Sequence, residues 1–276
     1  MRITGGSIIA GGNVIEGGIP RSVNPFAAIR HVRSGEDIQD AVDEAAAYDI
    51  IAVAPGDYDA FSIARAKTGL RIVGLGNPQS VFVGNAGDAQ AILNEADKVA
   101  FENIWIEDAI VGLLNRGKNV RFLGGMIQNV TTALQLSLGT VAEQAAGTYG
   151  DGADFRIIDT EIAWITNAVE LIAVPGLAVT QARFVGAFLH NIAAKGFTSS
   201  GGNDSARFRD LWIEGCIFGR SEAGADPSTG YLDLNPHADN TGHMMRNSFP
   251  VVKASGTIAV AAGMVKSGND YTDGHD

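Results

Sequence analysis

Short runs of alternating apolar and polar residues recur along the chain. They open at Leu70, Val99, Val120, Phe155, Leu177 and Leu211, and two residues later stand Ile72, Phe101, Phe122, Ile157, Val179 and Ile213. The residue between is mixed: Arg71, Ala100, Arg121, Arg156, Ala178 and Trp212. Such alternation belongs to a half-buried strand. Seven residues after the opening come Ile106, Ile127, Ile162, Phe184 and Phe218, past a polar or small pair, and they predict a second strand round a bend. The openings are 29, 21, 35, 22 and 34 residues apart. A strand-turn-strand unit repeating near 21–22 residues predicts an all-β solenoid: a single-stranded, right-handed parallel β-helix. A leucine-rich repeat would need its Leu/Asn consensus, and a propeller blade would need about 40 residues per repeat.

Residues 29–63 read strand, helix, strand. The helix is expected over 35–46, with Ser34 as its cap, Glu36 and Asp37 at its positive end, and Ile38, Val42 and Ala45 as its apolar stripe. A solenoid exposes its bore at each end, so this helix is a candidate N-terminal lid. Residues 1–26 carry two apolar pairs, Ile8–Ile9 and Val14–Ile15, among paired glycines, and predict an extended arm. The β-helix then covers 27–225, and 226–276 supplies C-terminal coils or a cap. The two long spacings place loop insertions near 139–153 and 196–207. Both would leave the coil at one corner and project side by side, with Tyr149 and Phe197 as contact residues.

Composition narrows the partners. The net charge is −11, which argues against nucleic acid. It argues less strongly against polyanionic sugars, because a local arginine cluster could offset it. Thirty-five glycines suit tight turns, and the lone Cys216 excludes an internal disulfide. The opening residues lack the apolar core of a secretion signal, and no stretch approaches a membrane span.

On a solenoid, chemistry would sit in columns of outward residues stacked on successive coils. Glu102, Leu123, Ile158, Thr180 and Glu214 form one column, with no two acids adjacent. Glu161 and Arg183 are expected to pair on successive coils, and Arg121 and Arg156 to stack. The best acid cluster is Glu107 and Asp108 with Glu102 nearby, whose neighbours on the next coil would be Gln128 and Asn129. These three acids are the weak catalytic candidates, since polysaccharide cleavage wants two placed carboxylates or a metal-bound set. Asp151 and Asp154, among glycines, are weak candidates for a cation loop. His237 and His243 flank Asp239 without a further placed ligand. No nucleotide or cofactor fingerprint appears, and no cofactor is expected. Trp105 and Trp164, like Trp212, suit either sugar stacking or subunit packing.

The run GEDIQDAVDEAAAYDIIAVAPGDYDAFSI, followed by GLRIVGLG, resembles the opening segment of pectin-lyase-like β-helix proteins, with its IQ-A pattern, apolar strand and PG-x-Y. That family spans lyases, hydrolases and non-catalytic phage parts. The paired Asp-Asp and Gly-His-Gly of polygalacturonases are absent, and IWIED (104–108) only echoes the WIDH-like calcium motif of pectate lyases. The stretch GYLDLNPHADNTGHMMRNSF, ending in SGNDYTDG, resembles β-helix proteins of tailed-phage virions. Together these imply a non-catalytic virion protein without a secretion signal: a side-by-side homotrimer decorating the capsid or forming a short spike. It would attach to a capsid or tail protein through its N-terminal arm, with a host surface glycan as a further partner. The alternative is a carbohydrate-active β-helix enzyme, a polysaccharide lyase or capsule depolymerase.

Overall fold

The computed structural model describes residues 27–76, 80–137, 154–172, 178–199, 207–220, 230–234, 240–250 and 262–271. It also describes the strands Ile8–Ala10, Asn13–Glu16, Ile19–Pro20, Ile258–Ala259 and Gly274–His275. The chain coils into a parallel β-helix with three walls per turn.

The first wall is a ten-stranded parallel sheet running from Ile29–Val32 to Gly263–Ser267. Its inward column is Ile51, Ile72, Phe101, Phe122, Ile157, Phe184, Ile213 and Met244, all fully buried. Stacked like this, each large side chain keeps its neighbours' faces from water, at about 1.5–3 kcal/mol apiece. The second wall consists of short strands whose inward column is Val83, Ile106, Ile127, Ile162, Leu189 and Phe218. The third wall is built of longer strands and buries Ile92, Leu113, Leu134, Val169, Phe197 and Leu232. The second and third walls fuse where Glu161–Ile172 and Phe188–Ser199 each run on through the corner.

Between the first two walls the backbone turns through left-handed conformations at Asn103, Gly124, Asp159, Gly186 and Gly215. Only Gly, Asn and Asp enter that region at little cost, which is why these types recur at this corner. Each of these amides donates to a carbonyl one rung ahead: Leu123, Ile158, Val185, Glu214 and Met245 in turn. At the corner after the third wall, Asn94 and Asn115 are buried inside the turn. Asn94 Nδ2 donates to Asn115 Oδ1 at 2.7 Å, and Asn115 Nδ2 donates to the Gly117 carbonyl at 3.0 Å.

The fold corrects the alignment at one repeat. The strand that follows Leu177 belongs to none of the three walls. Ala178–Thr180 pairs with Arg207–Arg209 in a separate two-stranded sheet. The wall strand of that coil is Arg183–Val185, so Phe184 belongs to the first wall's column and Leu189 takes its expected place in the second. The predicted insertion at 196–207 also begins too early, because residues to Ser199 belong to the third wall and Phe197 is core. Residues 139–153 and 200–206, with Tyr149 and Asp151, lie outside the described residues.

The helix is Ile38–Glu44, shorter than expected, with Asp37 rather than Ser34 as its cap. Asp37 Oδ1 accepts from the Gln39 amide at 2.8 Å. Ile38, Val42 and Ala45 are buried, and the helix packs against Ile29–Val32, Ile50–Val53 and Phe61–Ile63. At the N-terminus Ile8–Ala10 pairs antiparallel with Asn13–Glu16, bringing Ile8 opposite Ile15 and Ile9 opposite Val14, and Ile19–Pro20 adds a third strand. At the other end, Ile258–Ala259 and Gly263–Ser267 extend the third and first walls.

Candidate functional site

The outward column of the third wall changes character along the helix. Its first members are Ser62, Leu93 and Leu114, and it continues as Gln135, Glu170, Thr198 and Asp233. Three polar members sit between buried apolar residues in a short motif, LQL (134–136), VEL (169–171) and LDL (232–234), whereas Thr198 is itself buried. Alternation on a strand drives the apolar neighbours into the bore and the polar residue out. Glu170 and Asp233 stand two rungs apart, so roughly 10 Å separates their strands. Thr198 lies between them.

Supporting groups surround the pair. Gln135 Nε2 donates to Glu170 Oε2 at 2.9 Å, which orients that carboxylate. Lys195 Nζ lies 3.8 Å from Asp233 Oδ2. Lys195 belongs to a parallel outward column with Thr132 and Asn167, and Asn167 Nδ2 reaches Thr132 Oγ1 at 3.4 Å. The strand carrying Lys195 holds one extra residue just before it, because Ile165 pairs with Ile192 but Asn167 with Lys195. A bulge of this kind re-aims the side chains that follow it.

The residues singled out from the sequence do not converge here. Glu102 lies on the first wall, gripped by Arg71 through contacts of 2.8, 2.9 and 3.1 Å. Glu107 accepts from Gln128 Nε2 at 2.8 Å, so Gln128 is its neighbour as expected. Asp108 turns the next corner at φ 58°, as Asn129 does at 52° one rung on. Asp154 is held by Arg156 at 3.0 and 3.3 Å, which leaves it poorly placed to ligate a cation. No group of three His, Cys, Asp or Glu converges among the described residues.

Glu161 and Arg183 do not meet. Glu161 neighbours Met126 and Phe188, and its Oε1 lies 2.8 Å from His190 Nε2, whereas Arg183 stacks between Arg156 and Trp212. The expected stack of Arg121 on Arg156 is present. Trp105 leans on Phe82 with ring centroids 5.0 Å apart. Trp164 is 43 % exposed, adopts φ 50°, and meets His190 edge-on at 5.3 Å. Cys216 is buried, and loss of solvation pushes its thiol up to about 12, so it is no nucleophile.

Gln135, Glu170 and Asp233 lie in the third-wall segment of their coils, beyond the two strands that the repeated spacing marks out. The signal was present as a polar residue between two apolar ones at equivalent rungs.

No protein-family model and no curated protein matches the sequence. Solved structures do match in shape. Escherichia coli YbhC superposes with a TM-score of 0.61 at 11 % identity, over 97 % of this chain and 90 % of that one. An alginate lyase from Paenibacillus sp. gives 0.53 at 12 % identity, over 90 % of this chain and 96 % of the other. A pectin methylesterase from Aspergillus niger gives 0.49 at 13 % identity, over 91 % and 86 %. The expectation of a non-catalytic virion protein is corrected by these findings. It rested on outward residues of the first two strands of each coil, whereas Gln135, Glu170 and Asp233 fall in one column of the third wall. The fold is that of parallel β-helix proteins among which an alginate lyase is found.

Proposed function

We propose that the protein is a carbohydrate-active enzyme that cleaves a polysaccharide laid along its third wall. The observation that carries this reading is the outward pair Glu170 and Asp233, two rungs apart and bracketing Thr198. Side chains on strands roughly 10 Å apart can lean together to the about 6.5–9.5 Å between carboxyl groups that leaves room for a water opposite the scissile bond, the arrangement of inverting glycoside hydrolysis. In that scheme one carboxyl gives its proton to the leaving oxygen, and the other takes a proton from the attacking water. Gln135 orients Glu170 for its part, and Lys195 sits against Asp233. A solved alginate lyase of the same fold is consistent with a carbohydrate substrate.

Lys195 favours a second reading, β-elimination, in which its ammonium would neutralise a sugar carboxylate beside the carboxylate pair. One experiment separates the two. A panel of neutral and acidic polysaccharides is scored for new reducing ends and for the ultraviolet absorbance of an unsaturated product. Hydrolysis gives the first signal alone, and elimination gives both. Glu170→Gln and Asp233→Asn should each lower kcat by roughly 10²–10⁴. Cleavage that survives in both variants would refute the site, and no cleavage across the panel would refute the enzyme reading.

A further inference from the structure

The first wall carries a feature that the third-wall site does not use. Its outward column reads Arg71, Ala100, Arg121, Arg156, Arg183, Trp212 and His243 on successive rungs. Four arginines therefore stand in one line, at about 5 Å per rung, in a chain of net charge −11. Arg71 and Arg156 each already fork a carboxylate, Glu102 and Asp154. Arg121 between them is exposed, and no carboxylate pairs with it among the described residues. A groove of about 560 Å³ is lined by Arg71, Lys98 and Arg121 together with Tyr48, Asn119 and the Arg71-bound Glu102.

The line ends on an aromatic platform. The Arg183 guanidinium carbon lies 5.5 Å from the Trp212 ring centroid, and Arg183 Nε is buried without an acceptor among the described residues. Trp212 in turn packs on His243, centroids 4.2 Å apart and planes 32° from parallel.

We propose that this wall is a second, non-cleaving binding surface for a linear polysaccharide that bears a carboxylate on each sugar, lying along the helix axis. A guanidinium is planar and presents paired donors that match a carboxylate, as Arg71 and Arg156 demonstrate on the protein's own acids. The rung spacing is close to the length of one pyranose unit in an extended chain, so successive sugars would meet successive rungs. Trp212 has Arg183 on one face and His243 on the other, so the outward ring edges of this stack are what meet the C–H surface of a sugar ring. The surface holds rather than cuts. In the adjacent column Glu102 and Glu214 are four rungs apart, roughly 19 Å, too far to act on one bond. The choice of a polysaccharide rests on the carbohydrate-active reading, whereas the line of positive charge does not.

Binding is measured by titration calorimetry at low salt, using polygalacturonate, a neutral β-glucan of matched length, polyglutamate and duplex DNA. Wild type should bind polygalacturonate at least tenfold more tightly than the other three, and added salt should weaken it. Arg121→Glu alters an exposed side chain and should lower that affinity at least tenfold with the melting temperature unchanged. Trp212→Ala should lower it while sparing the salt dependence. In a Glu170→Gln background, where cleavage is lost, adding Arg121→Glu should lower the affinity by the same factor, so loss of cleavage is distinguishable from loss of this surface. Equal binding of neutral glucan, polyglutamate or DNA would overturn the proposal, as would wild-type affinity in Arg121→Glu.

Discussion

Replacing Asn115 by leucine tests how the corner after the third wall is held. The next rung carries Leu136 at the same register, so leucine fits this strand geometrically. Asn115 is 1 % exposed, accepts from Asn94 Nδ2 and donates to the Gly117 carbonyl. Asn115→Leu leaves the Gly117 carbonyl without that donor and removes one of the two acceptors of Asn94 Nδ2, which keeps the Ala96 carbonyl at 3.0 Å. A buried polar group stripped of its partner costs about 1–3 kcal/mol. Leucine's own burial offsets part of this, so a net loss of roughly 1–2 kcal/mol is expected. That corresponds to a Tm lower by roughly 2–8 °C in a chain of this size. Solenoids can unfold in stages, so the urea midpoint and amide exchange at residues 94–117 are read alongside. The double variant Asn94→Leu with Asn115→Leu should be less destabilised than the sum of the singles, because removing both partners leaves fewer orphans. Additive losses, or a single-variant loss under about 0.5 kcal/mol, would refute the assignment of stability to this amide pair.

Trp164 occupies a left-handed corner where neighbouring rungs carry Asp108, Asn129 and Asn191. Trp164→Asn should raise stability by about 1 kcal/mol in urea titration, since a bulky side chain pays for that conformation and asparagine pays less. Cys216 should resist iodoacetamide at pH 8 in the folded protein and react once urea unfolds it, as followed by mass spectrometry. Its folded pKa of about 12 lies above the ordinary thiol value, so its contribution to stability is complete below pH 9 and falls as pH rises from 9 to about 12. A Cys216→Val protein should lose that component of the alkaline decline in Tm.

The bore was legible because burial there has a strict spacing. Phe101, Phe122 and Ile157 fall at the same offset from their openings, and the walls need nothing more than that alternation. Leu177 misled for the same reason. Ala178–Thr180 alternates like a wall strand and is indeed a strand, but it pairs with Arg207–Arg209 instead of with the wall. That slip placed Arg183 opposite Glu161 and cut the arginine line at Arg156. Glu170 and Asp233 lie late in their coils, beyond insertions of unequal length, so only paired register brings them into one column. Alternation identifies which residues face out, but hydrogen-bonded pairing decides which of them become neighbours.

The corner amides carry a consequence for how the chain is made. Asn103, Gly124, Asp159, Gly186 and Gly215 all donate to the following rung, never to the preceding one. As the polypeptide leaves the ribosome, each newly wound coil has donors at this corner whose acceptors have not yet been synthesised. A coil is therefore completed by its successor, and assembly has a direction, N-terminus first with a lag of one turn. Stalled chains ending just after Asn103, Gly124 or Asp159 should each leave a single unsealed corner, while the turns behind it are already closed.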